Sequence, residues 1–161
     1  MNGGESTGHM PYRWDQLNKL QLGAYAEYFV KMEFTMYGFQ VYTSEVDDRG
    51  IDFVCRHERG PFYEIQVKSC RGAGYVFVQK DKFDLRDELV LALVRFEEGK
   101  EPELSLIPSL AWRTPDGLLV DHDYEGLKSK PEWGINLSQR NLPLLSRYNF
   151  GERIKAMIDP P

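Results

Sequence analysis

Two neighbouring stretches of the sequence contain side chains that could support hydrolytic chemistry. The first contains Asp52, and the second contains Glu64, Gln66 and Lys68 at alternate positions. Carboxylate, amide and backbone carbonyl oxygens, such as the carbonyl of Val67, are ligands for a hard cation such as Mg²⁺, which keeps several waters. A lysine beside such a cation can orient or deprotonate an activated water. These residue types therefore indicate metal-assisted hydrolysis.

The two stretches are expected to face each other in a β-hairpin. Residues 51–56 and 62–68 are rich in β-branched and aromatic types, and turn-forming residues separate them. One pairing of the two strands makes one face of the hairpin wholly apolar, which fixes the register. The pairs on that face are Phe53 with Ile65, Ile51 with Val67, and Cys55 with Tyr63.

The other face of this hairpin is polar. The same register places Asp52 opposite Gln66, with cross-strand Cβ atoms about 4.5–5.5 Å apart, and alternation adds Glu64 and Lys68. A buried polar group without a partner costs roughly 1–3 kcal/mol, so such a face needs pairing, exposure or a ligand. One alternative is an ordinary ion pair between Asp52 and Lys68, which would leave the fold to serve another purpose.

A helix and a set of short strands must position this hairpin. Helical spacing of apolar residues predicts one helix from Trp14 to Tyr37, with Gly38 as its stop. The apolar residues are Leu17, Leu20, Ala24, Tyr28, Met32 and Met36. Further strands are predicted at residues 39–43, 75–78, 89–96 and 104–107, and weaker signals give strands at 117–120 and 133–137 and helical segments at 139–148 and 152–158. The pattern predicts an α/β fold with a mixed sheet of five or six strands.

The order of a helix with Glu27, then Gly-Ile-Asp, a hairpin and Gln-Val-Lys resembles the PD-(D/E)xK nuclease superfamily, and most closely its Mrr-like branch with a QxK motif. The resemblance covers about residues 20–78. It implies the restriction-endonuclease-like fold, a mixed sheet flanked by helices. It also implies a Mg²⁺- or Mn²⁺-dependent nuclease in which Glu27, Asp52 and Gln66 bind metal and Lys68 assists the hydrolytic water. Glu64 could supply the negative charge that an amide at position 66 lacks.

Four basic residues flank this motif and are candidates for contacts with the phosphate backbone: Arg49, Arg71, Lys80 and Lys82. Solvated loop charges are an equal alternative for them. The resemblance makes DNA the expected partner and a homodimer the expected assembly. The rival function is a catalytically inactive domain of the same fold that binds nucleic acid or protein.

Composition limits the classes of protein. The chain has 161 residues, with 20 basic and 25 acidic side chains and a net charge of −5. This length favours one domain over residues 12–161, after a disordered tail or cloning scar over 1–11. Two cysteines are too few for a disulfide scaffold, so we expect a cytoplasmic protein without a membrane span. The spacing of Asp121, Asp123, Glu125 and Glu132 is similar to an EF-hand loop, but the strands predicted on either side argue against a calcium site.

Overall fold

The computed structural model describes residues 11–46 and 49–161, so most of the tail predicted over residues 1–11 lies outside the described residues. The two α-helices are α1 (Lys19–Met36) and α2 (Phe150–Ile158), and short 3₁₀ turns link other elements. The strands are β1 (Phe39–Thr43), β2 (Phe53–His57), β3 (Phe62–Arg71), β4 (Gly74–Gln79), β5 (Leu89–Phe96), β6 (Glu103–Pro108), β7 (Leu119–His122) and β8 (Glu132–Leu137).

These strands form two sheets. The larger has the order β1-β2-β3-β5-β6, and its pairs are antiparallel except for the parallel pair of β3 and β5. The smaller is an antiparallel sheet with the order β4-β8-β7. The predicted fold class, a mixed sheet flanked by helices with a long amino-terminal helix, is confirmed. Strand β4 belongs to the second sheet, so the chain leaves the main sheet after β3 and returns to it at β5.

Helix α1 begins later than the apolar spacing predicts. Residues Trp14–Gln16 form a separate 3₁₀ turn, and Leu17 is extended. Asn18 then caps α1: its side chain accepts from the backbone N–H of Gln21, whose own side chain accepts from the N–H of Asn18. Gly38, at φ +88°, follows the helix as predicted, because this backbone conformation is cheapest for glycine.

Helix α1 packs on the main sheet through a different row of residues from the one whose spacing predicts the helix. The packed side chains are Leu22, Ala26, Val30 and Phe34, which are 4% exposed or less. The row formed by Leu20, Ala24, Tyr28, Met32 and Met36 faces outward. Both rows have helical spacing, and we attribute the choice to the small Ala26 and the β-branched Val30, which let the helix approach the strands closely.

Two hydrophobic cores lie on opposite faces of the main sheet. One contains α1, α2 and the β3 residue Ile65, and the other joins β5 to the three-stranded sheet. Strand β5 serves both cores, because Ala92 faces the helices and Leu91 faces the second sheet. The three-stranded sheet of β4, β7 and β8 therefore covers the face of the main sheet opposite the two helices. Across the described ranges, no helix combines the length and apolar character needed to cross a membrane.

Candidate active site

The hairpin that carries the predicted site has the predicted register. Phe53 pairs with Ile65 and Cys55 with Tyr63, and all four residues belong to the core beneath the helices. The regular ladder ends at Asp52, whose N–H donates to the carbonyl of Ile65 at 2.9 Å. The apolar face does not extend to the predicted pair of Ile51 with Val67, because Ile51 packs against the second core.

Asp52 is held alongside β3 by a hydrogen bond from the backbone of that strand. Its Oδ2 atom accepts a hydrogen bond from the N–H of Val67 at 2.6 Å. This bond brings the carboxylate alongside the strand segment that contains Gln66 and Lys68. The short distance is typical of a charge-assisted hydrogen bond, which is stronger than a neutral one.

Gln66 is the only glutamine among the buried residues of the described chain, with 7% of its surface exposed. Its Oε1 atom is buried and has no hydrogen-bond partner within the described residues. Gly50, at φ +78°, covers the amide so closely that a Cβ on that glycine would lie 3.3 Å from Gln66 Nε2. An orphaned amide oxygen is costly, and a bound ligand would remove that cost.

Lys68 lies on the same face of β3 as Gln66. Its side chain lines a groove, which we call the lysine groove. The groove has a volume of about 420 Å³ and is also lined by Gln66, Lys19, Lys82, Tyr75 and Phe77. No ion pair or side-chain hydrogen bond joins Lys68 to another residue in 11–46 or 49–161. The ion pair with Asp52 considered as an alternative is therefore not formed, and the ammonium group is available to a ligand.

The other two predicted metal ligands are engaged elsewhere. Glu27 forms an ion pair of 2.9 Å with Lys31 one turn along α1, and Glu64 accepts a 3.0 Å hydrogen bond from Arg86 Nε. Helix α1 packs on the face of the sheet that contains Ile65, whereas alternation directs Gln66 to the opposite face. In the part of the chain that the structure describes, no three His, Cys, Asp or Glu side chains form a metal cluster.

These donors fit one hard divalent cation better than a soft or multinuclear centre. The orphaned Gln66 Oε1 and the Asp52 carboxylate offer oxygen, which Mg²⁺ and Mn²⁺ accept. Mg²⁺ commonly uses only one or two protein carboxylates and completes its octahedron with water and substrate phosphate. A site of this kind would take part of its coordination shell from the substrate.

The four predicted phosphate-binding residues occupy different environments. Arg71 donates to the backbone carbonyls of Trp14, at 3.0 Å, and Leu17, and so ties β3 to the segment before α1. Lys80 forms ion pairs with two aspartates and lies 3.9 Å from the centre of the Trp133 ring. Arg49 and Lys82 line a second groove of about 560 Å³, and Lys82 also lines the lysine groove. Lys82 is thus the predicted contact best placed for a phosphate.

The calcium-like spacing has a different structural role. Asp121 and Asp123 are the partners of Lys80, and the carboxylate of Glu132 accepts from the hydroxyl of Tyr75. The flanking segments are the strands β7 and β8, as the sequence predicts, whereas an EF-hand needs helices.

The lysine groove also contains residues that sequence reasoning assigned no role. Lys19, at the first position of α1, and the rings of Tyr75 and Phe77 line it. The strand pattern of β4 did carry a signal: its rings alternate with the buried Val76 and Val78, so they must leave the core. The sequence did not show that this outer face lies beside Lys68, since β4 belongs to another sheet.

No family model and no curated protein sequence matches this chain significantly. Among solved structures, it is similar to a Holliday junction resolvase of Archaeoglobus fulgidus, with 15% identity, a TM-score of 0.48, and coverage of 76% of this chain and 88% of the other. It is also similar to a bacterial homing endonuclease, with 13% identity, a TM-score of 0.49, and coverage of 86% and 91%. Both scores lie below 0.5, so the fold class rests on the strand order and pairing of the chain itself.

Proposed function

We propose that this protein is a divalent-metal-dependent nuclease that hydrolyses phosphodiester bonds in DNA. The observation that carries the proposal is the buried, unpartnered Oε1 atom of Gln66 on the same strand face as the unpaired Lys68. Asp52 is bonded to Val67, the residue between them. The motif resemblance supplies the reaction class, and the lysine groove supplies an open site for a phosphate.

In the proposed site, Asp52, the amide oxygen of Gln66 and the carbonyl of Val67 would hold the cation. When bound, the cation lowers the pKa of water and offsets negative charge on the phosphoryl oxygens. Lys68 Nζ orients the attacking water and donates a hydrogen bond to a nonbridging phosphate oxygen, where charge develops as water attacks phosphorus. The attacking water releases a proton to solvent in the open groove, the P–O bond to the leaving nucleotide breaks, and the leaving oxygen takes a proton from solvent water. Glu27 and Glu64 join the donor set only if they leave Lys31 and Arg86, so we assign the principal roles to Asp52 and Gln66.

The test is Mn²⁺ titration by calorimetry beside cleavage assays on supercoiled plasmid and single-stranded DNA. Asp52→Asn is the informative variant, because the amide oxygen can still accept from Val67 while the negative charge is lost. We expect saturable binding by the wild type, loss of binding in Asp52→Asn, and unchanged binding in the exposed control Asp159→Asn. Lys68→Ala should bind Mn²⁺ but not cleave. Folded wild-type protein that binds no Mn²⁺ would refute the proposal.

Two observations favour the second candidate, a catalytically inactive binding domain. The described residues contain no cluster of three metal-ligating acids, and Gln66 supplies no negative charge where an acid would strengthen the site. This alternative predicts DNA binding that is the same in EDTA and in Mn²⁺, together with no cleavage of any substrate. The titration above separates the two functions directly.

A homodimer is part of the proposal, because the motif resemblance implies one. The outward row of α1, formed by Leu20, Ala24, Tyr28, Met32 and Met36, is the surface we assign to it. Leu20 and Met36 are 85% and 75% exposed, which is unusual for apolar side chains in one continuous row. Two such rows pair antiparallel about Tyr28, so that the short Ala24 faces the long Met32 of the partner copy. We place the protein in the cytoplasm, where its thiols stay reduced.

A further inference from the structure

Two aromatic rings form one wall of the lysine groove and are exposed to solvent. Tyr75 and Phe77 alternate along β4 on the outer face of the three-stranded sheet, and they are 44% and 46% exposed. Their ring centroids are 6.1 Å apart, and their planes are inclined by only 20°. The two nearly parallel rings therefore offer an exposed aromatic surface beside Lys68.

The surface is fixed in place by the neighbouring strand β8. The hydroxyl of Tyr75 donates to the carboxylate of Glu132, and the Tyr75 ring lies across Gly134. A Cβ at position 134 would overlap that ring, so only glycine allows this arrangement. Burial of the hydroxyl and its bond to Glu132 raise the pKa of Tyr75, which keeps the ring neutral. A ring fixed by its hydroxyl bond and by its contact with Gly134 loses little conformational entropy when a ligand stacks on it.

The ring surface continues away from the groove. The ring of His122, on β7, lies 6.1 Å from that of Tyr75, and Tyr124 stacks on His122 at 5.3 Å with planes inclined by 24°. We call Phe77, Tyr75, His122 and Tyr124 the aromatic row. It begins at the groove that contains Lys68 and crosses the outer face of the smaller sheet.

Three positive charges stand at the groove end of this row. Lys19, Lys68 and Lys82 line the groove together with Tyr75 and Phe77, and no acidic side chain from residues 11–46 or 49–161 lines it. Farther along the row, the carboxylates of Asp121 and Asp123 are paired with Lys80. A cationic groove combined with a series of exposed rings is the arrangement by which proteins bind single-stranded nucleic acids, with phosphates at the lysines and bases on the rings.

We propose that the aromatic row binds unpaired bases, so that the substrate of this protein is single-stranded DNA or DNA with an unpaired segment next to the cleaved bond. This inference rests on the proposed function for the position of that bond beside Lys68, but the binding of bases does not depend on cleavage. A continuous duplex keeps its bases stacked inside the helix and offers the rings no base face. A strand leaving a duplex can place its phosphates along the lysine groove and its bases on Tyr75 and Phe77.

The test measures binding by fluorescence anisotropy in EDTA, where no cleavage occurs. The probes are a labelled oligothymidylate, an abasic strand of equal length and a blunt hairpin duplex. We expect the wild type to bind the oligothymidylate more tightly than the abasic strand, which carries the same phosphates but no bases. Phe77→Ala should lose about five- to 150-fold in affinity for the oligothymidylate and little for the abasic strand. The matched control is Phe62→Ala, since Phe62 is 50% exposed on β3 but lies over Arg56.

Equal affinity of the wild type for the two strands, or unchanged affinity of Phe77→Ala for the oligothymidylate, would overturn the inference. Cleavage assays in Mn²⁺ distinguish this failure from failure of the proposed function. Metal-dependent cleavage with no effect of Phe77→Ala on binding leaves the nuclease and removes the aromatic row as a binding site. Phe77-dependent binding without cleavage of any substrate supports the row and refutes the nuclease.

Discussion

Replacing Gln66 by glutamate examines the proposed metal site through stability as well as activity. Gln66 is 7% exposed, its Oε1 atom lacks a partner in the described structure, and Gly50 covers it. In Gln66→Glu the site gains the negative charge that favours a cation, but without metal it must bury an uncompensated carboxylate. The variant should therefore be less stable than the wild type in EDTA and gain more stability from Mn²⁺.

The size of the loss follows from burial. A buried polar group without a partner costs about 1–3 kcal/mol and a charged one more, so we take the added charge to cost about 1–3 kcal/mol beyond the wild-type amide. A chain of this size loses about 2–4 °C in Tm for each kcal/mol. Gln66→Glu should thus melt about 2–12 °C below the wild type in EDTA. Mn²⁺ at 100 times its Kd for the variant adds about 2.7 kcal/mol to the free energy of unfolding, which offsets most of that loss.

The pH dependence has a definite sign. Burial raises the pKa of a carboxyl group, so the folded Gln66→Glu protein would bind more protons than the unfolded chain between the two pKa values. Its stability relative to the wild type should therefore fall as pH rises above about 4.3, the ordinary glutamate value, and level off above the raised pKa.

The assay is thermal unfolding in EDTA and in Mn²⁺, with Gln40→Glu as the control, because Gln40 is an exposed glutamine on the edge strand β1. The control should melt like the wild type in both conditions. If Gln66→Glu loses stability in EDTA and Mn²⁺ returns no more than it does for the wild type, no cation lies at Gln66 and the reasoning fails. If the variant loses none, burial at position 66 does not oppose a negative charge, and the reasoning fails as well.

Three further predictions concern the surface and the thiols. Lys82→Ala should weaken binding to all DNA sequences alike and reduce the slope of log K against log salt by about one phosphate contact. Lys80→Ala should lower Tm and leave that slope unchanged, because Lys80 already has carboxylate partners. Burial raises the pKa of Cys55 to about 12 and of Cys70 to about 11, so native protein at pH 8 should react slowly with a thiol reagent. The free energy of unfolding should fall at strongly alkaline pH, because the thiols of the unfolded chain ionise at lower pH than those of the folded protein. Tyr28→Lys should convert a dimer to folded monomers in sedimentation, since Tyr28 is 70% exposed and packs in neither of the two described cores. A monomeric wild type would contradict the assigned surface.

The hairpin register could be predicted from sequence because local pattern decides it. A slip of one residue would move Phe53 and Ile65 from the core to the polar face, so alternation alone selects the pairing. The same reasoning failed one position farther out. At Asp52 the carboxylate bonds to the backbone of Val67, the ladder ends, and Ile51 turns to the other core.

Partners that are distant in sequence could not be predicted in this way. Nothing in the pattern around Glu64 indicates that Arg86 will neutralise it, and nothing in β4 indicates that it leaves the main sheet after β3. Helix α1 carries two apolar rows, and the choice between them depends on which one fits the strands beneath. Alternation along a strand predicts which face of the sheet a side chain occupies, whereas tertiary packing decides which residues that side chain contacts.

The net charge of −5 does not prevent this chain from binding DNA, because the charges are unevenly placed. Among the residues that the structure describes, three lysines and no acid line the lysine groove, while Glu33, Glu101 and Glu103 line a separate cavity beside α1. At physiological salt, charges farther apart than about 8 Å are largely screened, so a bound strand responds mainly to the groove. Three phosphate contacts give a slope of about −2 for log K against log salt on single strands. A much steeper slope would mean that phosphates contact basic residues outside the lysine groove, and a slope near zero would mean that its lysines contact none.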